Sequence, residues 1–271
     1  MMSTRLSQRA FTWIARIGFV GRGVVFLILG GLALAAALSG NSRPVGTAGA
    51  LNKVTSIPAG SLLALIIALC LLCFAALRVI EAADDVYSYG DDLRGLARRA
   101  ALGLAGLFYA VVGLAGTSIV LAGRYAPSND QTVRDWTAWA LSMPLGRWLV
   151  GVTGAVILSI GIGLAAAGLR GKFKRRLRLW EKGSTLVTLL GAVGFLARSL
   201  VFILIGAFLM FAAIQARPDD AQGFGGALNA LRGQPYGDIL LFAAAAGLVA
   251  FGIFGVAEAY YGRAAQSGGV T

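Results

Sequence analysis

The sequence predicts an all-α integral membrane protein: six transmembrane helices forming three parallel two-helix hairpin repeats about a pseudo-three-fold axis. Three observations predict it. The first is composition. Of 271 residues, 58% are apolar, 13% are charged and 38 are glycine, whereas a soluble domain carries about 25% charged residues. Mean hydropathy is +0.77, and so little polar material cannot cover a water-facing surface. The second is a set of six apolar stretches, each long enough for a helical crossing of about 20 residues. The third is an internal repeat. Alternating polar and apolar strands of about ten residues, the mark of a membrane barrel, are missing.

The apolar stretches cover residues 18–38, 60–80, 100–122, 147–169, 186–213 and 238–260. The first follows Arg5, Arg9 and Arg16 and ends in Ala35-Ala36-Ala37, as a secretory signal would. It is longer than the apolar core of a signal and has counterparts later in the chain, so it reads as a retained helix. The fifth is over-long and carries Arg198. Gly191 and Gly194 are weak grounds for a turn, and the stretch reads as one span preceded by a short interfacial segment. Basic residues set the orientation. With the N-terminus inside, one face receives Arg5, Arg9, Arg16, Arg22, Arg78, Arg94, Arg98, Arg99, the group at 170–182, Arg198 and Arg263, which is 17 of the 24 Lys and Arg. The other receives Arg43, Lys53, Arg124, Arg134, Arg147, Arg217 and Arg232. Both termini are therefore expected in the cytoplasm. Trp13, Trp136, Trp139, Trp148 and Trp180 fall at span ends, where interfacial anchors belong.

Self-comparison is the most informative step. Gly18-Phe19-Val20-Gly21-Arg22, then Phe26 and Gly30, is echoed by Gly194-Phe195-Leu196-Ala197-Arg198, then Phe202 and Gly206. Gly49-Ala50-Leu51-Asn52 is matched by Gly226-Ala227-Leu228-Asn229. Each lies nine residues before a Pro-x-Gly, Pro58-Ala59-Gly60 and Pro235-Tyr236-Gly237. In a third copy Gly113 stands at the Gly30 position and Pro144-Leu145-Gly146 opens the second helix. The copies divide the chain at 1–90, 91–182 and 183–271, with two spans in each. Proline suits the first turn of a helix, where its missing N–H would be unpaired anyway. An even number of spans gives every copy the same orientation, and parallel repeats are related by an axis along the membrane normal. Duplication for packing, with no pathway on that axis, is the favoured reading.

The aromatic, glycine and arginine start, the Gly-Ala-Leu element and the Pro-x-Gly opening resemble the bacterial domain of unknown function 1206, over nearly the whole chain. The middle copy departs, with Ala105 at the arginine position and Asp135-Trp136-Thr137 where Gly-Ala-Leu should be. The resemblance implies tandem hairpins in one chain and a location in the bacterial cytoplasmic (inner) membrane. It implies no activity.

Histidine is absent, which removes the commonest general base and metal ligand. Cys70 and Cys73 form a C-x-x-C inside an apolar helix. Their counterparts are Val156 and Ser159, then Gly247 and Ala250, so packing is favoured over thiol–disulfide chemistry. Glycines within spans, such as Gly103, Gly106, Gly116, Gly151, Gly154, Gly161 and Gly163, read as close helix packing. No strand precedes any of them, so a nucleotide-binding loop fails on context. Glu81, Asp84, Asp85, Asp91 and Asp92 match no calcium loop and read as solvated or ion-paired. In 170–182, Phe173, Leu177 and Trp180 share a helical face, which fits a short amphipathic segment on an anionic leaflet. Nucleic-acid binding is not expected despite the net charge of +12. No catalytic residue, cofactor or metal is expected. The expected partners are the bilayer, with anionic lipid at its cytoplasmic face, and a membrane protein or a second copy of the chain.

The charges that recur inside spans are the candidate site. Arg22 and Arg198 occupy equivalent places in first helices, while Glu81 and Glu258 each lie 23 residues after the proline of a second helix. At 1.5 Å per residue that is about 35 Å, one crossing, which returns each Glu to the level of its Arg. The middle copy has Ala105 and Ala167 at these two places. The expectation is that Arg22–Glu81 and Arg198–Glu258 clamp each hairpin, with pairing between copies equally compatible. The alternative is separate snorkelling to water. The expected function is that of a non-enzymatic membrane protein acting through helix contacts or its charged cytoplasmic loops. The alternative is a small-solute or ion transporter or channel along the axis, weakened by the scarcity of ionisable residues near mid-membrane.

Overall fold

The structure, a computed structural model, describes residues 2–39, 44, 46–85, 90–123, 128–171 and 185–261. The expected amphipathic segment of Phe173, Leu177 and Trp180, and the interfacial segment before the fifth span, lie outside the described residues. Six long helices supply the candidate spans: α1 (Met2–Ser39), α3 (Gly60–Ala83), α4 (Leu93–Ala122), α6 (Gly146–Leu169), α7 (Thr185–Gln215) and α9 (Gly237–Tyr261). The over-long fifth stretch is one unbroken helix of 31 residues.

Three short helices, α2 (Thr47–Thr55), α5 (Asn129–Leu141) and α8 (Phe224–Arg232), join the two spans of each copy. They carry the Gly-Ala-Leu element and its divergent middle version. Each leads into a tight turn. Gly60 N–H donates to the Ile57 carbonyl at 2.9 Å, and Gly146 N–H to the Met143 carbonyl at 3.0 Å. Proline occupies the second turn position and a left-handed residue the third: Ala59 (φ 59°), Leu145 (φ 64°) and Tyr236 (φ 63°). This is the type II pattern. The expectation that proline opens the second helix is corrected, because it stands two residues before the helix and glycine is the first helical residue. The glycine is required by contact. A Cβ on Gly60, Gly146 or Gly237 would run into the carbonyl of Val54, Ala140 or Arg232.

Between copies the packing is uniform. α3 lies on α4, α6 on α7, and α9 on α1, so each second helix meets the first helix of the next copy and the third copy meets the first. Gly30, Gly113 and Gly206 lie in these seams. An added Cβ would stand 2.7 Å from Val249 N, 3.1 Å from the Ala68 carbonyl and 2.6 Å from Leu158 N respectively. Two helical turns earlier, Gly23 and Gly106 face the carbonyls of Gly252 and Ala75, and Ser199 holds the third position against Gly161. Small residues let helix backbones touch, which supplies association in lipid, where burial of apolar side chains supplies little.

Within copies the packing is not uniform. α1 lies on α3 and α7 on α9. Gly18 faces the Phe74 backbone, and Gly194 the Phe251 backbone, with built Cβ distances of 2.7 and 2.6 Å to the phenylalanine Cα. A turn away, Gly21 meets Cys70 and Gly247 meets Ala197. The middle copy has Ala101 and Ile160 at the first contact and Leu104 and Val156 at the second. Leu104 is 56% exposed and Val156 45%, and α4 and α6 form no such seam. The expected hairpin of the middle copy is therefore one of connectivity, not of packing. Only 17% of the α4 and α6 spans is buried, against 50% for α1 and 56% for α9.

Candidate functional site: a buried arginine and carboxylate cluster

Where the first helices converge, the bundle buries charge. Arg22, Arg78, Glu81 and Glu258 are all buried, beside fully packed Phe19, Phe74, Phe251 and Phe254. Arg22 Nη2 lies 2.7 Å from Glu258 Oε2, and Arg78 Nη1 lies 2.5 Å from Glu81 Oε2. The guanidinium carbon of Arg22 stands 5.1, 5.0 and 5.1 Å from the ring centres of Phe19, Phe74 and Phe251. Arg78 shares Phe19 and Phe74 at 5.4 and 4.7 Å. Arg198 shares Phe251 at 5.0 Å and adds Phe26 and Phe202, both at 5.2 Å. Three arginines thus form a ladder with aromatic rings between the rungs. Ring faces attract the cations and separate charges that would otherwise repel.

The expected pairs inside hairpins are corrected. Arg22 joins Glu258, across copies, and Glu81 joins Arg78 on its own helix. The reason is the cyclic seam: α9 is the neighbour of α1, so the third copy's Glu reaches the first copy's Arg. By the same rule Glu81 faces position 105 on α4, and Arg198 faces position 167 on α6, and both are alanine. Glu81 is served instead by Arg78, whose counterparts are Leu164 and Gly255. Arg198 has no carboxylate within 4 Å among the described residues, and its Nη2 donates to the Tyr109 hydroxyl at 3.2 Å. Its Nε is buried without a hydrogen-bond partner among the described residues, as is that of Arg22.

Two residues of the cluster were not foreseen. Arg78 is the only basic residue in its span and stands three before Glu81, the spacing of neighbours on a helix face. Tyr109 occupies the place of Phe26 and Phe202, so its hydroxyl is a single added atom in an aromatic series. Guanidinium groups do not give up their protons. The three arginines accordingly supply fixed charge and hydrogen-bond donors.

Three segments of the chain, residues 17–85, 100–171 and 193–262, match the family described as Domain of Unknown Function (DUF1206). The chain belongs to this family. A Bacillus subtilis (strain 168) protein described as "Uncharacterized protein YxxB" is 31% identical over 264 residues, which is 95% of this chain and 94% of that one. No solved structure matches. One DUF1206 segment falls in each of the three copies, including the divergent middle one. This is a multi-span membrane protein.

The remaining residues singled out in the sequence are placed as follows. Gly18 and Gly194 lie in the seams within copies, and Gly30, Gly113 and Gly206 in those between copies. Pro58, Pro144 and Pro235, with Gly60, Gly146 and Gly237, build the turns. Of the acidic loop, Asp92 caps α4 through Gly95 N–H at 3.1 Å, and Asp91 pairs with Arg99 at 3.0 Å. No group of three metal-ligating side chains occurs among the described residues. At the opposite end, Asp130 of α5 accepts from Gly223 N–H at 2.8 Å and Gly226 N–H at 3.0 Å, tying the middle copy to the start of α8.

Proposed function

We propose that this DUF1206 protein is non-enzymatic and acts through helix contacts within the bacterial cytoplasmic membrane. In this reading the copies are parallel hairpins about a pseudo-three-fold axis, with both termini in the cytoplasm. The single observation that carries it is the open middle copy. α4 and α6 keep the seams that join them to α3 and α7, yet leave between them an apolar face bearing Leu104 and Val156. The bundle itself does not need that face. In lipid, a bare face of this kind is satisfied by acyl chains or by another helix, and the partner proposed is a second copy of the chain.

The transport alternative would need the ring and arginine ladder at the convergence of α1, α4 and α7 to open. Its supporting feature, the cyclic order of the copies, is equally a packing device. The test uses native membranes and a background with both cysteines replaced by serine. Leu104→Cys and Val156→Cys are expected to give cross-linked dimers with a short bifunctional thiol reagent. Leu62→Cys, on an outward position of α3, serves as the control and is expected to stay monomeric. Solute flux above that of empty vesicles, with no cross-linking at α4 or α6, would contradict the reading in favour of transport.

A further inference from the structure

A cavity of about 490 Å³ lies between α1, α2, α3, α4 and α5. The copies explain why it exists. The first and third copies are in register by 177 residues at their prolines, and α1 and α4 by 83 at Gly30 and Gly113. On that register the cavity is the first copy's version of a place that the third copy fills. Leu231, Leu241 and Ala33 are buried in the third copy's core, and the cavity has Val54, Ala64 and Gly116 in their positions. Each exchange removes carbon. Three go the other way, with Ile67 where the core has Ala244, and Phe108 and Ile119 at the places of Val25 and Ala36. The cavity is a cleft partly open to the surrounding bilayer, lined in part by exposed Phe108 and Val111, and where the third copy is packed to interior density it leaves room for an occupant.

The walls choose its chemistry. They are apolar apart from Thr132, so they favour contact with an apolar molecule over water. The cavity's volume falls within the range of small-molecule sites. A helix, about 10 Å across with its side chains, is too thick for it, whereas a single alkyl chain fits. In a bilayer the alkyl chain at hand is that of a phospholipid. Charge gives a second, independent indication. One end of the cavity is set by Val25, Leu71 and Phe108. Next to Phe108 stands Tyr109, the hydroxyl acceptor for Arg198, the cation whose carboxylate position is taken by Ala167. Three arginines against two glutamates leave the cluster one positive charge in excess.

We propose that the cavity holds one acyl chain of an anionic phospholipid from the surrounding bilayer, with the phosphate drawn to Arg198. The site goes beyond the helix-contact reading and does not depend on it. The test is photolabelling of the full chain in phosphatidylcholine vesicles containing phosphatidylglycerol with a mid-chain diazirine, the label being located by mass spectrometry. Label is expected on Val112 and Ala115 in preference to outward-facing Leu62. It is expected to fall about tenfold in Val54→Leu/Ala64→Leu/Gly116→Ala, which installs the third copy's residues and leaves an alanine Cβ at 116 an ordinary 3.4 Å from that of Ala68. Ala64→Leu alone serves if the triple variant does not fold. Arg198→Gln should cost labelling by the phosphatidylglycerol probe about tenfold, the factor one charge-assisted hydrogen bond is worth. A phosphatidylcholine probe should already be that much weaker on the natural chain. Label confined to outward positions, or unchanged in the filled variant, would overturn the site. Equal labelling by the two probes would overturn the role of Arg198.

Discussion

Between copies, three seams out of three are built from small residues in backbone contact, while within copies only two of three are. The difference lies in a handful of atoms. Gly21 on Cys70 and Ala197 on Gly247 let α1 meet α3 and α7 meet α9, whereas the corresponding Leu104 and Val156 are exposed on helices that do not meet. The middle copy kept Gly106, Gly113, Gly154 and Gly161, which face its neighbours, and lost the small residues that face itself. The comparison teaches that the bundle is held by the joints between copies. The six spans stay joined by the seams that run from α6 through α7, α9, α1 and α3 to α4, and the divergent copy is where the chain departs from its own rule. The charge cluster follows the same division, with Arg22–Glu258 surviving across a seam and the two places on the middle copy reduced to alanine.

The largest effect should come from breaking the charge pair on the α9–α1 joint. Glu258→Gln leaves Arg22 buried without its carboxylate and should cost about 3–5 kcal/mol, the range for a buried charge stripped of its partner. Unfolding in mild detergent, followed by thermal melting, reads it.

Next in size is the joint itself. Gly30→Leu pushes side-chain carbon into the Val249 backbone and should cost at least about 1–3 kcal/mol, the range for overpacking. Gly31→Leu is the matched control, since nothing lies within 4 Å of a Cβ there, and it should stay within about 0.5 kcal/mol. Equal losses at the two positions would erase the distinction between seam and free face.

The smallest effect is a repair. Ala167→Glu returns the carboxylate that the cyclic rule places opposite Arg198. The site is half-buried, so solvent screening limits the gain to about 1 kcal/mol. The gain should vanish, or change sign, on Arg198→Gln. A stabilisation that persists without Arg198 would show that the rule does not extend to the middle copy.

Much of this was legible in the sequence. Six spans follow from hydropathy, three copies from the spacing of Pro58, Pro144 and Pro235, and the depth of the charged residues from helix rise. Depth is not direction, however. A rise of 1.5 Å per residue sets Glu258 level with Arg22 and with Arg198 alike, and only the neighbour order chooses between them. The short helices α2 and α8 are nine residues each, well below any membrane-length window. The turn was half legible: Pro and Gly announced it, but the left-handed residue between them, alanine, leucine or tyrosine, carries no sequence signal for φ > 0. The open middle hairpin was readable in principle, by setting Leu104 and Val156 beside Gly21 and Cys70. The cavity was not, because it depends on summed volumes of side chains from five helices.

The most direct test of the claim that the joints run between copies is a pair of double-mutant cycles on detergent stability. One combines Arg22→Gln with Glu258→Gln, the other Arg22→Gln with Glu81→Gln. A pair in contact couples by about 0.5–3 kcal/mol, whereas groups without a shared partner add to within about 0.5 kcal/mol. The account predicts that the double variant with Glu258→Gln loses clearly less than the sum of its parts, and that the Arg22–Glu258 coupling exceeds that of Arg22–Glu81. The larger coupling falling on Arg22 and Glu81 instead would put the clamp back inside the hairpin and contradict it.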